Sequence, residues 1–315
     1  MPHYKYVICS CARMEEDSII EWISYHSSLG FEHFFIYGND EDHRILAAAL
    51  APLIACKLVT FVHCPSQGAQ ADMYFHFLHH YLDSCEWISF LDQDEFIRLD
   101  SFGNKIENLT TQARMYDSIQ FQWICYGTSG FEERPKGSVL SQYTKREGVV
   151  HVLTKHITRT SAIYRDIFPN VDPVLWEFFP FWHVWPTFAV RTCSSAIEPA
   201  TALEWHGGGE RRTAYESYLR DNGAMLLQSA TVAHFHLKSR ADCERRFRRG
   251  TARNFHGQQM YADMLANPEA QNAYIVKGNE VEDSYLASYW ESYVRSCAGS
   301  APFLWEAGWQ MPVKL

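Results

Sequence analysis

Residues 4–38, YKYVICSCARMEEDSIIEWISYHSSLGFEHFFIYG, read as strand, helix and strand in succession. The first six are aromatic and β-branched in a short run, as strands are. Across residues 15–29, Ile19, Ile20, Ile23 and Leu29 recur at helical spacing, acidic Glu15, Glu16 and Asp17 occupy the first turn, and Gly30 stands at the C-cap. Residues 33–37 are apolar and strand-like and stop at Gly38-Asn39-Asp40. The alternation continues with a helix over 44–53, a strand over 57–62, a helix over 70–82 and an apolar strand over 87–91. Four strands separated by helices predict a βαβ series and an α/β fold with a mostly parallel sheet flanked by helices. Ligands of such sheets collect beyond the carboxyl ends of the strands. Cys11-Ala12-Arg13, Gly38-Asn39-Asp40 and Asp92-Gln93-Asp94 are therefore expected to line one crevice.

Further along, the pattern loosens. Residues 118–126 read as a strand and 127–130 as a turn, while 131–210 carry many Pro, Trp and His residues and read as irregular. An irregular stretch of that length points to function. A strand over 231–237 and helices over 241–258 and 283–296 follow. There is no repeat and no clear linker, so the expectation is one continuous domain over 1–256 with a C-terminal helical extension over 257–315.

Composition narrows the function classes. The 315 residues are 47% hydrophobic and 21% charged, ordinary globular usage that excludes wholesale disorder. A net charge of −9 argues against a general nucleic-acid binder. Against that balance, residues 238–253 gather Lys238, Arg240, Arg245, Arg246, Arg248, Arg249 and Arg253, a basic segment suited to phosphates or an anionic membrane face. Nine cysteines with no CxxC pair read as reduced thiols. With neither a signal-peptide pattern nor an apolar run long enough to span a bilayer, the expected location is cytoplasmic, with peripheral contact to the inner membrane face as an option.

The strongest chemical signal is Phe90-Leu91-Asp92-Gln93-Asp94-Glu95-Phe96. Two aspartates at i and i+2, leaving an apolar strand, can present both carboxylates to one side. Hard oxygens in that arrangement suit Mg²⁺ or Mn²⁺, with a diphosphate completing the shell.

With these residues in view, the chain resembles the family 2 and family 92-like glycosyltransferases. The resemblance runs through Cys11-Ala12-Arg13-Met14-Glu15, Glu21-Trp22-Ile23, Tyr25-His26, Leu29-Gly30-Phe31, Ile36-Tyr37-Gly38-Asn39, Gln70 with Tyr74, and the acidic motif. It resumes at residues 131–135, at Lys155 with Arg159, at His234-Phe235-His236-Leu237-Lys238-Ser239 and at Arg249-Gly250. It implies a GT-A fold, an inverting transfer from a nucleotide-sugar donor, UDP-hexose first, to a glycan or glycolipid acceptor, and no nucleic-acid partner. Residues 1–117 would then form the donor half and 118–256 the acceptor half. The resemblance implies donor contacts from Cys11, Ala12, Arg13, Glu15, Asn39, Asp40, Gln70 and Asp92, and within the basic segment Lys238 or Arg249 is expected to meet the donor diphosphate. The metal ligands would be Asp92 and Asp94, with His234 as a third. Met14 and Gly38 depart from the Asn and Asp common at these places.

Direct displacement by a hydroxyl also needs a general base. Glu132, Glu133, Asp172, Glu177, Glu204 and Glu210 are candidates, and Glu133 is favoured because it follows the turn after the strand beyond the acidic motif. His183 and His206 are candidates for the acceptor side, and Trp123, Trp176, Trp182 and Trp185 could offer stacking faces. Rival enzyme classes lack their fingerprints: there is no GxSxG, no GxxxxGK[ST] and no GxGxxG. The remaining alternative is a non-catalytic carbohydrate-binding protein on a decayed transferase fold.

Overall fold

The computed structural model describes residues 2–13, 15–65, 69–163, 183, 190–199, 209–249 and 255–297. In chain order these form β1 (Tyr4–Ala12), α1 (Ile19–Ser28), β2 (His33–Gly38), α2 (Arg44–Ala55), β3 (Val59–His63), α3 (Gln70–His80), β4 (Cys85–Phe90), β5 (Glu95–Arg98), α4 (Ile106–Gln112) and β6 (Ser118–Cys125). There follow α5 (Val139–Gln142), β7 (Lys145–Arg146), β8 (Thr154–Arg159), β9 (Thr192–Ser194), α6 (Gly209–Gln228), β10 (Thr231–His234), α7 (Arg240–Arg249), α8 (Phe255–Ala266), α9 (Pro268–Lys277), β11 (Val281–Glu282) and α10 (Tyr285–Cys297). The chain divides into two compact units, residues 1–123 with 149–232 and residues 124–148 with 233–315. No helix of the described residues is long and apolar enough to cross a membrane.

The sheet runs β3-β2-β1-β4-β8-β6-β10-β5, with β9 beside β6. The expected α/β class and largely parallel sheet are present: β1 pairs in parallel with β2 and β4, β2 with β3, and β6 with β9. β8 is antiparallel to both β4 and β6. Alternation along each strand sends side chains to opposite faces. Val7, Cys9, Phe35, Tyr37, Ile88 and Phe90 pack on one face against Met73, Tyr74 and Phe77 of α3. On the other side Trp22 of α1 meets Phe34 edge-on. Each such buried side chain contributes about 1.5–3 kcal/mol of hydrophobic stabilisation.

Helix α1 begins at Ile19, later than the acidic run suggested. Glu15 forms a turn before the helix instead: its carbonyl accepts from the Ser18 and Ile19 amides, and its carboxylate accepts from the Ser18 hydroxyl at 3.0 Å. The helix then closes the polar groups of β5. Trp22 Nε1 donates to Glu95 O at 2.7 Å, Tyr25 donates to Ile97 O at 2.8 Å, and Ile97 N donates to His26 Nε2 at 3.3 Å. Burial drives His26 down to about 3, so its ring is neutral and can accept that bond.

The described residues within 131–210 include regular elements, α5, β7, β8 and β9, where irregular chain was expected. Of these, β8 lies inside the sheet although its sequence, TKHITR, carries a lysine and a histidine. The helix expected over 241–258 is two helices, α7 and α8. α9 carries a start signal that periodicity overlooks, because Asn267 Oδ1 accepts from the Glu269 and Ala270 amides and Pro268 opens the helix.

The second unit has its own core of Leu237, Cys243, Phe247, Tyr261 and Ile275. A two-stranded ribbon pairs β7 with β11. α7 is started by a capping box: Asp242 N donates to Ser239 Oγ at 3.1 Å, and the Ser239 amide donates back to Asp242 Oδ2 at 3.3 Å.

Candidate functional site

The parallel register brings three strand ends level. Ala12 pairs with Gly38, and Cys9 pairs with Phe90. The chain beyond β2 stays tied to β1, since Asn39 N donates to Ala12 O at 3.1 Å, and Leu91 N ties the chain beyond β4 to Cys9 O at 3.2 Å. The acidic motif therefore emerges beside Cys11, as the strand order required.

At its centre is a residue that carried the resemblance but had no role assigned. Lys155 of β8 is fully buried, with its Nζ 2.9 Å from Asp92 Oδ2 and 3.2 Å from Glu95 Oε2. Burial works against its charge, but the carboxylates of Asp92 and Glu95 outweigh burial and hold the ammonium above its ordinary value. Glu95 is also fully buried. Burial pushes its carboxyl well up, Lys155 pulls it down, and Asp92 and Asp94 push it up again. Glu95 Oε2 accepts from Asp92 N at 2.8 Å, whereas Oε1 is buried without a hydrogen-bond partner. A lysine inside an apolar sheet was the available signal, because such a side chain is almost never buried unless paired.

Asp92 is held from a second side. Gln70 Nε2 donates to Asp92 Oδ1 at 2.8 Å and lies 3.2 Å from the Tyr74 hydroxyl. Cys11 approaches Met73 at 3.4 Å, and its thiol is pushed well up by burial and then by Asp92. Gln93, between the two aspartates, turns inward and donates to Ser10 Oγ at 3.1 Å. Asp94 is half-buried. Of the expected donor contacts, Cys11, Ala12, Asn39, Gln70 and Asp92 thus gather at these strand ends. Asn39 Oδ1 is buried there without a hydrogen-bond partner. Arg13 is half-buried just past β1, Glu15 is engaged with Ser18, and the Asp40 carbonyl accepts from His63 Nε2 at 2.9 Å.

Of the other expected residues that are described, Lys238, His234, Glu132 and Glu133 belong to the second unit, whereas Trp123, His183 and Glu210 belong to the first, with Glu210 exposed at the start of α6. Lys238 is buried between β10 and α7 with a left-handed φ of +53°. His234 stands with His236 and Cys125. Glu133 is exposed in the segment after β6, and neighbouring Glu132 reaches Arg240 at 3.2 Å. The basic segment is not simply a solvated face, since Arg240, Arg245, Arg246 and Arg248 all engage protein groups. Trp123 and His183 meet edge-on at 5.2 Å, and His183 pairs with the Thr154 carbonyl at 2.9 Å. Asp172, Glu177, Glu204, His206, Trp176, Trp182 and Trp185 lie outside the described residues.

A divalent cation fits this donor set. Asp92 and Asp94 offer hard carboxylate oxygens, although one lone pair on each Asp92 oxygen already serves Gln70 or Lys155. The acidic motif brings no three ligand atoms together, so diphosphate and water would have to complete the shell. The one such triad among the described residues is Cys125, His234 and His236.

Comparison with known proteins identifies the family. The family model for Glycosyltransferase family 92 matches residues 4–164, just over half of the chain. A glycosyltransferase family 92 protein of Ricinus communis is 30% identical over 149 residues, 46% of this chain and 27% of the relative. Relatives of the same description from Oryza sativa and Arabidopsis thaliana are 28% and 26% identical, over 44% and 45% of this chain and 24% and 27% of their own length. The chain thus spans about a quarter of the length of the curated relatives it matches. Among solved structures, S. aureus TarS 1–349 is similar over 64% of this chain and 63% of that one, with a TM-score of 0.37 and 12% identity.

Proposed function

The chain belongs to glycosyltransferase family 92, and from that premise we propose that it moves a hexose from a nucleoside-diphosphate sugar, UDP-hexose first, to a hydroxyl of a glycan or glycolipid. The observation that supports this reading is the buried Lys155 between Asp92 and Glu95 at the carboxyl ends of parallel strands. A buried charge cluster of this kind is costly to fold, and it lies where an open α/β sheet binds its ligands.

In this reading Asn39 and the end of β1 receive the nucleoside, with the buried Asn39 Oδ1 as an acceptor for a donor group on it. Lys155 and Gln70 orient Asp92. Asp94, with Asp92, would hold Mn²⁺ or Mg²⁺, and such an ion neutralises charge on the departing diphosphate. The acceptor hydroxyl loses its proton to a carboxylate, for which Glu133 is our candidate.

The test is donor hydrolysis and transfer across a set of nucleotide sugars, with Mn²⁺ and with EDTA. Metal-dependent turnover is expected, and Asp94→Asn should reduce kcat by about 10²-fold or more. Its stability should stay within about 0.5 kcal/mol of wild type, because the group is half-exposed and nearly isosteric. Sugar binding without turnover of any donor would return the chain to the carbohydrate-binding alternative. Full turnover by Asp94→Asn in EDTA would remove the metal from the reading.

A further inference from the structure

We infer that Cys125, His234 and His236 form a binding site for a borderline transition-metal ion, Zn²⁺ above all, distinct in chemistry from the carboxylate centre. The backbone builds the site. β6 ends on Cys125, and the next amide, Tyr126 N, donates to the carbonyl of His234 at 2.9 Å, which sets the end of β10 beside the end of β6. His234 and His236 are two residues apart, the spacing that returns a side chain to one side of an extended segment. Their rings lie 5.0 Å apart, centre to centre, at 38°.

One ligand atom from each of the three residues lies within 4.8 Å of the other two. Zinc bonds of about 2.0–2.3 Å in a tetrahedron place ligand atoms roughly 3.3–3.8 Å apart. Small side-chain rotations would close that difference. Cys125 and His234 are buried, and half-buried His236 gives the ion a way in.

The surroundings suit an imidazole ligand. The Tyr274 hydroxyl is 3.1 Å from His236 Nε2 and can accept that N–H, which leaves Nδ1, 3.4 Å from the His234 carbonyl, as the ring nitrogen for an ion. Partners of this kind fix the tautomer and orientation of metal-bound histidines. Arg246 anchors the backbone at the same residue, donating from Nη1 to His236 O at 3.1 Å and from Nε to the Tyr261 hydroxyl at 3.1 Å.

The donor set selects the metal. One thiolate and two imidazoles, with no carboxylate, favour Zn²⁺ or Co²⁺ over Mg²⁺ and Mn²⁺. Three protein ligands leave a fourth position for water. On binding, the Cys125 thiol gives its proton to solvent and the two imidazoles bind as neutral rings, so affinity rises with pH. The ion would tie the ends of β6 and β10 to the segment leading into α7.

The experiment uses the full chain, stripped of metal and titrated with Co²⁺ as the probe. One equivalent should bind, with a thiolate-to-cobalt charge-transfer band in the near ultraviolet that one equivalent of Zn²⁺ abolishes. Cys125→Ser should lose that band, His236→Gln should weaken binding at least about tenfold, and Asp94→Asn should leave both unchanged. Eight other thiols could bind cobalt, so a band that survives in Cys125→Ser overturns the proposal, as does the absence of stoichiometric binding by wild type. If Cys125→Ser does not fold, His236→Gln decides alone: with an unaltered circular dichroism spectrum, undiminished binding overturns the site.

Discussion

Lys155 in the first unit and Arg146 in the second are both buried cations, and the way their charge is met differs. Arg146 Nε meets Asp283 Oδ2 at 2.6 Å, its Nη1 donates to Glu147 O at 2.8 Å, and both side chains of the pair are close to one-tenth exposed. That pair is one to one, and it ties β7 to the residue that follows β11 in the ribbon. Lys155 instead serves two carboxylates, one fully buried and one a third exposed, with a third acid, Asp94, close enough to push Glu95 up. A pair that closes its own charge needs nothing from outside. A cluster with more acid than base has capacity left for a proton or a bound cation, and this one lies at the strand ends. Imbalance, more than burial, separates the structural pair from the candidate catalytic one.

Lys155→Met is the strongest way to break that contrast. It leaves two carboxylates facing each other without a cation, and loss of one partner of a buried ion pair typically costs about 3–5 kcal/mol. The folded-state value of Glu95 is already raised, so the folded chain holds its proton to higher pH than the unfolded chain does, and that contribution is lost as pH rises through the folded value. Without Lys155 the effect should grow. Urea unfolding should therefore show a penalty that shrinks as pH is lowered toward the ordinary carboxylate range. Lys155→Met combined with Glu95→Gln should recover part of the loss at neutral pH. If the double variant is no more stable than the single one, Lys155 is a packing residue and the charge argument fails.

Gly127→Ala tests the other side, where shape matters more than charge. A Cβ on Gly127 would overlap the carbonyl of Gly278 and lie 2.5 Å from Asn279 Oδ1. That carboxamide accepts from Ser129 N at 2.7 Å and donates to Ile275 O at 2.9 Å, so it is poorly placed to move. Overpacking of this kind costs about 1–3 kcal/mol. The loss should vary little between pH 5 and 8, since no titrating group is involved. A strong pH dependence for this variant would show that the second unit is also organised by charge.

How much of this was legible beforehand follows from what periodicity can carry. The β1–α1–β2 stretch and the acidic motif were readable because neighbours in sequence are neighbours in function: strand ends on adjacent parallel strands lie side by side. β8 was missed because Lys155 and His156 broke its apolar pattern, and only their partners on other strands explain why they are inside. In the second unit, His234 and His236 could be paired by period two, but Cys125 joins them through the amide of Tyr126, the residue after β6. The split at Ile124 and Ala233 was invisible for a similar reason, since it cuts within β6 and β10 and leaves no linker in the sequence.

Asp242→Asn has the smallest expected effect and refines the comparison within the second unit. Burial alone would raise this carboxyl; the Arg134 guanidinium, the Ser239 hydroxyl and Arg245 outweigh it and hold it down to about 2. Arg134 meets both oxygens in a fork, at 3.0 Å each. An unfolded Asp titrates near about 3.9, so this contribution is complete above that value and disappears as pH falls toward the folded value. A shift of that size would correspond to roughly 2.6 kcal/mol in full. Arg134 is more than a third exposed, and solvent screening brings the expectation to about 1 kcal/mol. Asn keeps an oxygen that can accept from Ser239, so the start of α7 should survive and the variant should report charge alone. Urea titrations at a series of pH values should show a constant gap between wild type and variant above about pH 4, closing as acid is added. A gap that persists unchanged below the carboxylate range would mean that Asp242 works through its capping geometry, and that the fork with Arg134 contributes nothing measurable.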